Sequence, residues 1–217
     1  MPCAETLRFF IACIKPNELI KGFEAFVNPL NSAAEGDVIA IDGKTMRGTR
    51  HGVFDALHVV SAWSKNQGIT LAALESKGKS NEIKTVPELL ELIDVKGATI
   101  TTDAMGCQRA IVAKIRDGQD DYVLQLKNNQ ENLLKEIKAY HHKLEREGYA
   151  NTKYEQFEEI DKGHGRLEIR GYQHFELSDW VSCKDAWSGA QSVVRVERSR
   201  STAKGESTEV AWYLKVH

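Results

Sequence analysis

Two aspartates stand at the ends of short apolar runs, Val38-Ile39-Ala40-Ile41-Asp42 before Gly43-Lys44 and Thr99-Ile100-Thr101-Thr102-Asp103 before Ala104-Met105-Gly106. A carboxylate just beyond a buried strand opens onto solvent at the strand's carboxyl end, where open α/β sheets hold their ligands. Two such groups brought together make an oxygen-rich site for Mg²⁺ or Mn²⁺ and point to metal-assisted phosphoryl transfer. Aspartate is also a common strand terminator and helix N-cap, so on residue types alone both readings stand.

Other residues have chemistry within reach of that pair. Lys44, Arg47 and Arg50 follow Asp42 in Lys44-Thr45-Met46-Arg47-Gly48-Thr49-Arg50, close enough to meet backbone phosphates of a nucleic acid; a plain surface loop is the alternative. Glu82 and Glu168 are candidate third carboxylates. Glu82 equally suits the first turn of a helix, and Glu168, between Arg166 and Arg170 on one polar strand face, equally suits an ion pair. His141-His142 lies in the charged run ending Lys143-Leu144-Glu145-Arg146-Glu147, which reads as a solvated helix face. Arg195, Arg198, Arg200 and Lys204 read as a second basic patch, interrupted by Glu197.

The elements that must position these groups are legible from periodicity. Residues 5–30 read as helical with breaks at Pro16 and Pro29, and residues 31–37 as a linker. Strands follow at 38–42, 56–63 and 69–76, then a helix at 86–95, a strand at 99–103, a helix at 107–117, a strand at 121–127 and a helix at 130–147. Thr85-Val86-Pro87-Glu88 matches a capping box with proline in the first turn. Strands joined by short turns pair antiparallel, whereas strand-helix-strand units need parallel crossovers, so the sheet is mixed. Beyond residue 148 two hairpins are expected, 154–160 with 166–175 and 192–198 with 208–216. The division reads as a helical segment 1–34, an α/β core 35–148 and a β-rich module 149–217.

Bulk properties set outer limits. With 217 residues, 41% hydrophobic and 28% charged, the chain supports one ordinary core and an appended module. A formal net charge of −2 gives no global attraction to nucleic acid, so contact with DNA would rest on local basic patches. Cys3, Cys13, Cys107 and Cys183 form no C-x-x-C pair, which argues against a zinc ribbon or thioredoxin-type site and for reduced thiols. No apolar run is long enough for a transmembrane helix; the expectation is a cytoplasmic protein without membrane partners.

Three antiparallel strands followed by helix, strand, helix, strand, helix is the order of the ribonuclease H-like fold. The segments Ile39-Ala40-Ile41-Asp42-Gly43-Lys44, Leu57-His58-Val59-Val60-Ser61-Ala62-Trp63, Thr102-Asp103-Ala104-Met105-Gly106-Cys107-Gln108, Leu126-Lys127-Asn128-Asn129-Gln130 and His164-Gly165-Arg166-Leu167-Glu168 narrow this further. Together they resemble the H-repeat-associated transposases, DDE-type enzymes of bacterial insertion sequences. The resemblance implies a ribonuclease H-like mixed sheet with helices on both faces, plus a C-terminal antiparallel β insertion module. It implies that the first and fourth strands are parallel neighbours, with Asp42 and Asp103 as catalytic carboxylates holding Mg²⁺ or Mn²⁺. DNA, as insertion-sequence ends, is the implied partner, with a homo-oligomer in prospect.

In this family a glutamate on a helix beyond the β insertion completes the site, within a motif ending Ile-Glu-Asn, and no counterpart stands before His217. The chain therefore reads as a transposase cut at both ends and inactive as it stands. The alternatives are a complete small metal-dependent nuclease using Glu82 or Glu168, and a non-catalytic DNA-binding relic.

Overall fold

A computed structural model describes residues 2–27, 36–49, 55–78, 81–93, 96–163, 165–203 and 205–216. Two helices come first, α1 (Ala4–Cys13) and α2 (Pro16–Val27), followed by strands β1 (Val38–Thr45), β2 (His58–Ser64) and β3 (Ile69–Ser76). Then α3 (Glu82–Glu91), β4 (Thr99–Thr102), α4 (Arg109–Asp117), β5 (Asp121–Leu126) and α5 (Glu131–Arg146) alternate. Four long strands close the series: β6 (Tyr154–Gly163), β7 (Arg166–Glu176), β8 (Ser192–Thr202) and β9 (Gly205–Lys215). No helix among the described residues is long and apolar enough to cross a membrane.

All nine strands form one sheet in the order β3-β2-β1-β4-β5-β9-β8-β7-β6. β1 pairs antiparallel with β2 and parallel with β4, and β4 pairs parallel with β5. Antiparallel pairing of β9 with β5, Val123 opposite Lys215 and Leu126 opposite Trp212, makes residues 205–215 part of the central sheet. The expected β insertion is thus a continuation of the core sheet through its last strand.

Register assigns the two faces. Ile41 lies opposite Ala62 and Thr102, Thr102 opposite Leu124, Leu124 opposite Leu214, Leu214 opposite Val193, and Val193 opposite Phe175. Every one of these residues is buried, so a single row of side chains crosses the sheet on one face. Val86 and Leu89 of α3, Ile111 and Ile115 of α4, and Leu133 and Ile137 of α5 join them in one cluster. The opposite face presents half-buried Ala40, Thr101, Val123 and Tyr213. The expectation of helices on both faces is therefore corrected: α3, α4 and α5 share one face, because only that side of the strands carries the continuous apolar row. Helix α1 and the described side chains of α2 bury nothing, and Phe9, Phe10 and Phe26 are exposed.

Two local readings also change. Helix α3 begins at Glu82, with Thr85 and Pro87 inside it, so Thr85 is no cap; its hydroxyl donates back to the Asn81 carbonyl at 3.2 Å. Asp37, expected in a linker, is fully buried and ties the start of β1 down. Its carboxylate accepts from Val38 N at 2.6 Å, Asn66 N at 3.0 Å and Ser64 Oγ at 2.5 Å. Pro29 and most of that segment lie outside the described residues.

Candidate active site

The β1–β4 register pairs Ile41 with Thr102, and each aspartate is the next residue of its strand. Neighbouring strands run ~4.8 Å apart, so Asp42 and Asp103 occupy adjacent positions. Asp103 follows the last residue of β4, whereas β1, expected to end at Asp42, continues to Thr45 because Gly43, Lys44 and Thr45 still pair with β2. Both are exposed. Alternation directs Asp42 to the face opposite Ile41, and Asp103, leaving Thr102 in extended conformation at φ −66 and ψ 178, to the same open side.

The turn beyond Asp103 is tightly specified. Oδ1 of Asp103 accepts from Met105 N at 2.9 Å and Gly106 N at 3.4 Å, capping a single 3₁₀ turn over Ala104–Gly106. A Cβ on Gly106 would come within 2.6 Å of Thr102 Cβ, so the close approach needs glycine. Two amides from the segment after β5 hold the turn from outside. Asn129 Nδ2 donates to Ala104 O at 2.7 Å, and Gln130 Nε2 donates to Cys107 O at 2.9 Å. The segments Asp103–Gln108 and Asn128–Gln130 are thus two halves of one device. Nothing local in the sequence joins them, because the contact spans some 25 residues.

Glu82 lies close to the pair but is otherwise engaged. It is buried at the start of α3, and its Oε1 lies 2.6 Å from Nε2 of His58, whose Nδ1 lies 2.9 Å from the Thr45 hydroxyl. A Cβ on Gly43 would meet the Glu82 carboxylate at 2.5 Å, so that carboxylate rests on the backbone one residue past Asp42, on the core side. Asp42, Asp103 and Glu82 do not bring ligand atoms within 4.8 Å of one another. His58 escaped the sequence reading, since a histidine opening an apolar strand carries no mark of a partner 24 residues away.

Glu168 is excluded from this site by topology. Its strand, β7, lies five places from β1, about 24 Å away at the usual strand spacing. Glu168 instead pairs with Arg170 at 2.9 Å, Arg166 at 3.4 Å and Arg200 at 3.7 Å. The third-ligand reading of Glu168 is corrected to an ion-pair network.

Among the basic candidates, Lys44 Nζ lies 3.5 Å from Asp42 Oδ2 with both side chains well exposed. Arg47 is exposed in the turn beyond β1, and Arg50 lies outside the described residues. The second basic patch divides between faces: Arg195 projects to the core side over Trp212 and pairs with Glu197, while Arg198 and Arg200 alternate to the other side. Lys204 lies outside the described residues.

Known proteins are similar to this chain in sequence over most of its length. The family model described as the transposase DDE domain matches residues 33–205. YhhI of Escherichia coli K12, named as an H repeat-associated candidate transposase, is 37% identical over 215 residues, 96% of this chain and 55% of its own length. YbfD, from the same strain and similarly named, is 37% identical over 175 residues, covering 78% of this chain and 67% of its own length. A protein encoded in the dhlA 3′ region of Xanthobacter autotrophicus is 35% identical over 182 residues, 83% of this chain and 60% of its own length. The chain spans about half the length of the first of these relatives. With most of its length matched by the family model and several relatives above one-third identity, this chain belongs to the DDE-domain transposase family.

Proposed function

We propose that this chain supplies the two-aspartate part of a centre for DNA cleavage and strand transfer. The observation that carries the reading is the parallel β1–β4 register, which sets Asp42 and Asp103 side by side. The donors suit a hard divalent cation. Asp42 is exposed beside the solvated Lys44, and Asp103 commits one oxygen, Oδ1, to backbone amides, so both keep carboxylate oxygens for Mg²⁺ or Mn²⁺. Such ions, when bound, stabilise the attacking and leaving oxygens of an in-line displacement at phosphorus.

The chain's own residues then have distinct tasks. Asp42, on the strand between β2 and β4, and Asp103, its orientation set by the capped turn, would hold the ions. Lys44, Arg47 and Arg50 meet backbone phosphates of the DNA, which on family grounds is the end of an insertion sequence. A third carboxylate comes from a helix laid against the open face, the side to which both aspartates alternate. On this reading the 217-residue chain alone neither nicks nor joins DNA.

A second reading, a complete small nuclease using Glu82, draws support from the carboxylate resting on Gly43. One assay separates them. Supercoiled plasmid incubated with the chain and Mg²⁺ or Mn²⁺ stays intact on the first reading, while calorimetric Mn²⁺ binding is lost in Asp42→Asn. Robust nicking abolished in both Asp42→Asn and Glu82→Gln would establish the second. Mn²⁺ binding unchanged in Asp42→Asn and Asp103→Asn would overturn both.

A further inference from the structure

Near the end of α5, three ligand-type side chains converge on a surface that the aspartate pair does not use. His141 and Glu145 are one helical turn apart, and His142 stands three residues before Glu145, so the carboxylate lies beneath both rings. Nδ1 of His142 is 3.2 Å from Glu145 Oε2 and Nδ1 of His141 is 3.6 Å from the same oxygen. One ligand atom from each residue lies within 4.8 Å of the other two. A tetrahedral ion with ligands at 2.0–2.1 Å spaces those ligands about 3.3 Å apart, close to the two histidine–carboxylate separations.

The surroundings prepare the site. The charged neighbours in sequence imply a solvated face, yet the His141 side chain is only 4% exposed, while His142 is 76% exposed. The His141 ring sits 5.4 Å from Phe175 and 5.3 Å from Trp212 between ring centroids. Its second nitrogen, Nε2, lies 3.1 Å from the Tyr149 hydroxyl. Tyr149 is itself stacked on Tyr154 with ring centroids 3.7 Å apart, so the outer partner is fixed in place.

We propose that His141, His142 and Glu145 form a three-ligand site for a divalent transition-metal ion of the zinc class, with water as the fourth ligand. Imidazole-rich donors select zinc, cobalt or nickel over the Mg²⁺ or Mn²⁺ suited to the aspartates, so the two sites are chemically distinct. With the ion on Nδ1, the ring proton of neutral His141 resides on Nε2 and is donated to the Tyr149 oxygen. No redox step is involved.

Titration of the 217-residue chain with Co²⁺ in excess Mg²⁺ tests the site through ligand-field absorption. The expected result is one equivalent with the spectrum of a four-coordinate nitrogen and oxygen shell. His142→Ala should weaken binding at least about tenfold, and Tyr149→Phe should weaken it by roughly tenfold at unchanged stoichiometry. Because His142 is exposed, its replacement leaves the fold intact, and a thermal melt with Zn²⁺ should rise for the original chain but not for His142→Ala. Thiolate-to-cobalt charge transfer alone would assign binding to the exposed Cys3 or Cys13 and overturn the proposal. So would Co²⁺ affinity unchanged in both His142→Ala and Glu145→Gln.

Discussion

The side-chain amide of Asn129 donates to the carbonyl oxygen of Ala104 at 2.7 Å, so the segment after β5 holds the turn that follows β4. That turn supplies the amides that fix Asp103 Oδ1. Asn129 therefore acts on the candidate site through the backbone, as a positioning residue with no contact to an ion or to DNA.

Replacing Asn129 with alanine should cost about 1 kcal/mol, because Cys107 N still reaches Ala104 O at 3.3 Å and the oxygen is not left unpaired. The larger effect is expected on Asp103: Mn²⁺ affinity should fall by about tenfold, as for loss of other groups that orient a ligand. Urea unfolding and calorimetric titration on the same variant separate the two. Loss of stability with unchanged Mn²⁺ affinity would mean that the turn does not orient the carboxylate.

Glu82 and His58 should behave as a buried pair. Glu82→Ala leaves Nε2 of His58 without its partner inside the core and is expected to cost about 1–3 kcal/mol, whereas Glu82→Gln keeps a hydrogen-bonding group there and costs less. Equal losses for the two substitutions in urea melts would rule out the pairing.

Two glycines near the aspartates should resist substitution for different reasons. Alanine at Gly106 drives a methyl group onto the β-branched Thr102, whose hydroxyl donates to Asp103 O at 2.9 Å, and should cost about 1–3 kcal/mol. Alanine at Gly43 meets the Glu82 carboxylate, and moving that group aside breaks its buried contact with His58, so a cost of about 1–3 kcal/mol is expected there too. A Gly43→Ala protein as stable as the original in urea melts would show that the carboxylate moves without losing its partner.

The thiols should react in a fixed sequence. Burial raises the Cys107 pKa to about 12, so at pH 8 only about one thiol in ten thousand is ionised. Cys3 is exposed, and a hydrogen bond with Thr6 lowers its pKa from the ordinary thiol value. Iodoacetamide followed by peptide mass mapping should show Cys3 modified while Cys107 stays unlabelled until the fold is opened by urea. Labelling of Cys107 in the native protein at a comparable rate would contradict its burial.

Much of the element order was legible because alternation and helical periodicity are local signals. Ile69–Ser76 and the start of Asp121–Leu126 fall where the pattern puts them, and α5 agrees within one residue at either end. Contacts between distant segments had no such trace. Thr85-Val86-Pro87-Glu88 imitates a helix start at residue 86, yet α3 begins four residues earlier and carries Pro87 in its interior, where tertiary packing outweighs the local signal. His141 seemed solvated from its charged neighbours, but the helix turns it toward Phe175 and Trp212, which arrive later in the chain. The side-by-side placement of Asp42 and Asp103 was anticipated from fold resemblance, while the amides of Asn129 and Gln130 that brace it became visible only in three dimensions.

The pairing of β5 with β9 has a consequence for synthesis. Val123 finds its cross-strand partner only at Lys215, 92 positions further along by their numbering. At about 5–20 residues per second, roughly 5 to 20 s pass between production of the two strands, during which the nascent chain holds β5 with one edge of backbone amides and carbonyls unmatched. For that interval the strand next to the Asp103-bearing β4 is open to any other extended segment, and arrival of Trp212 to Lys215 ends the exposure.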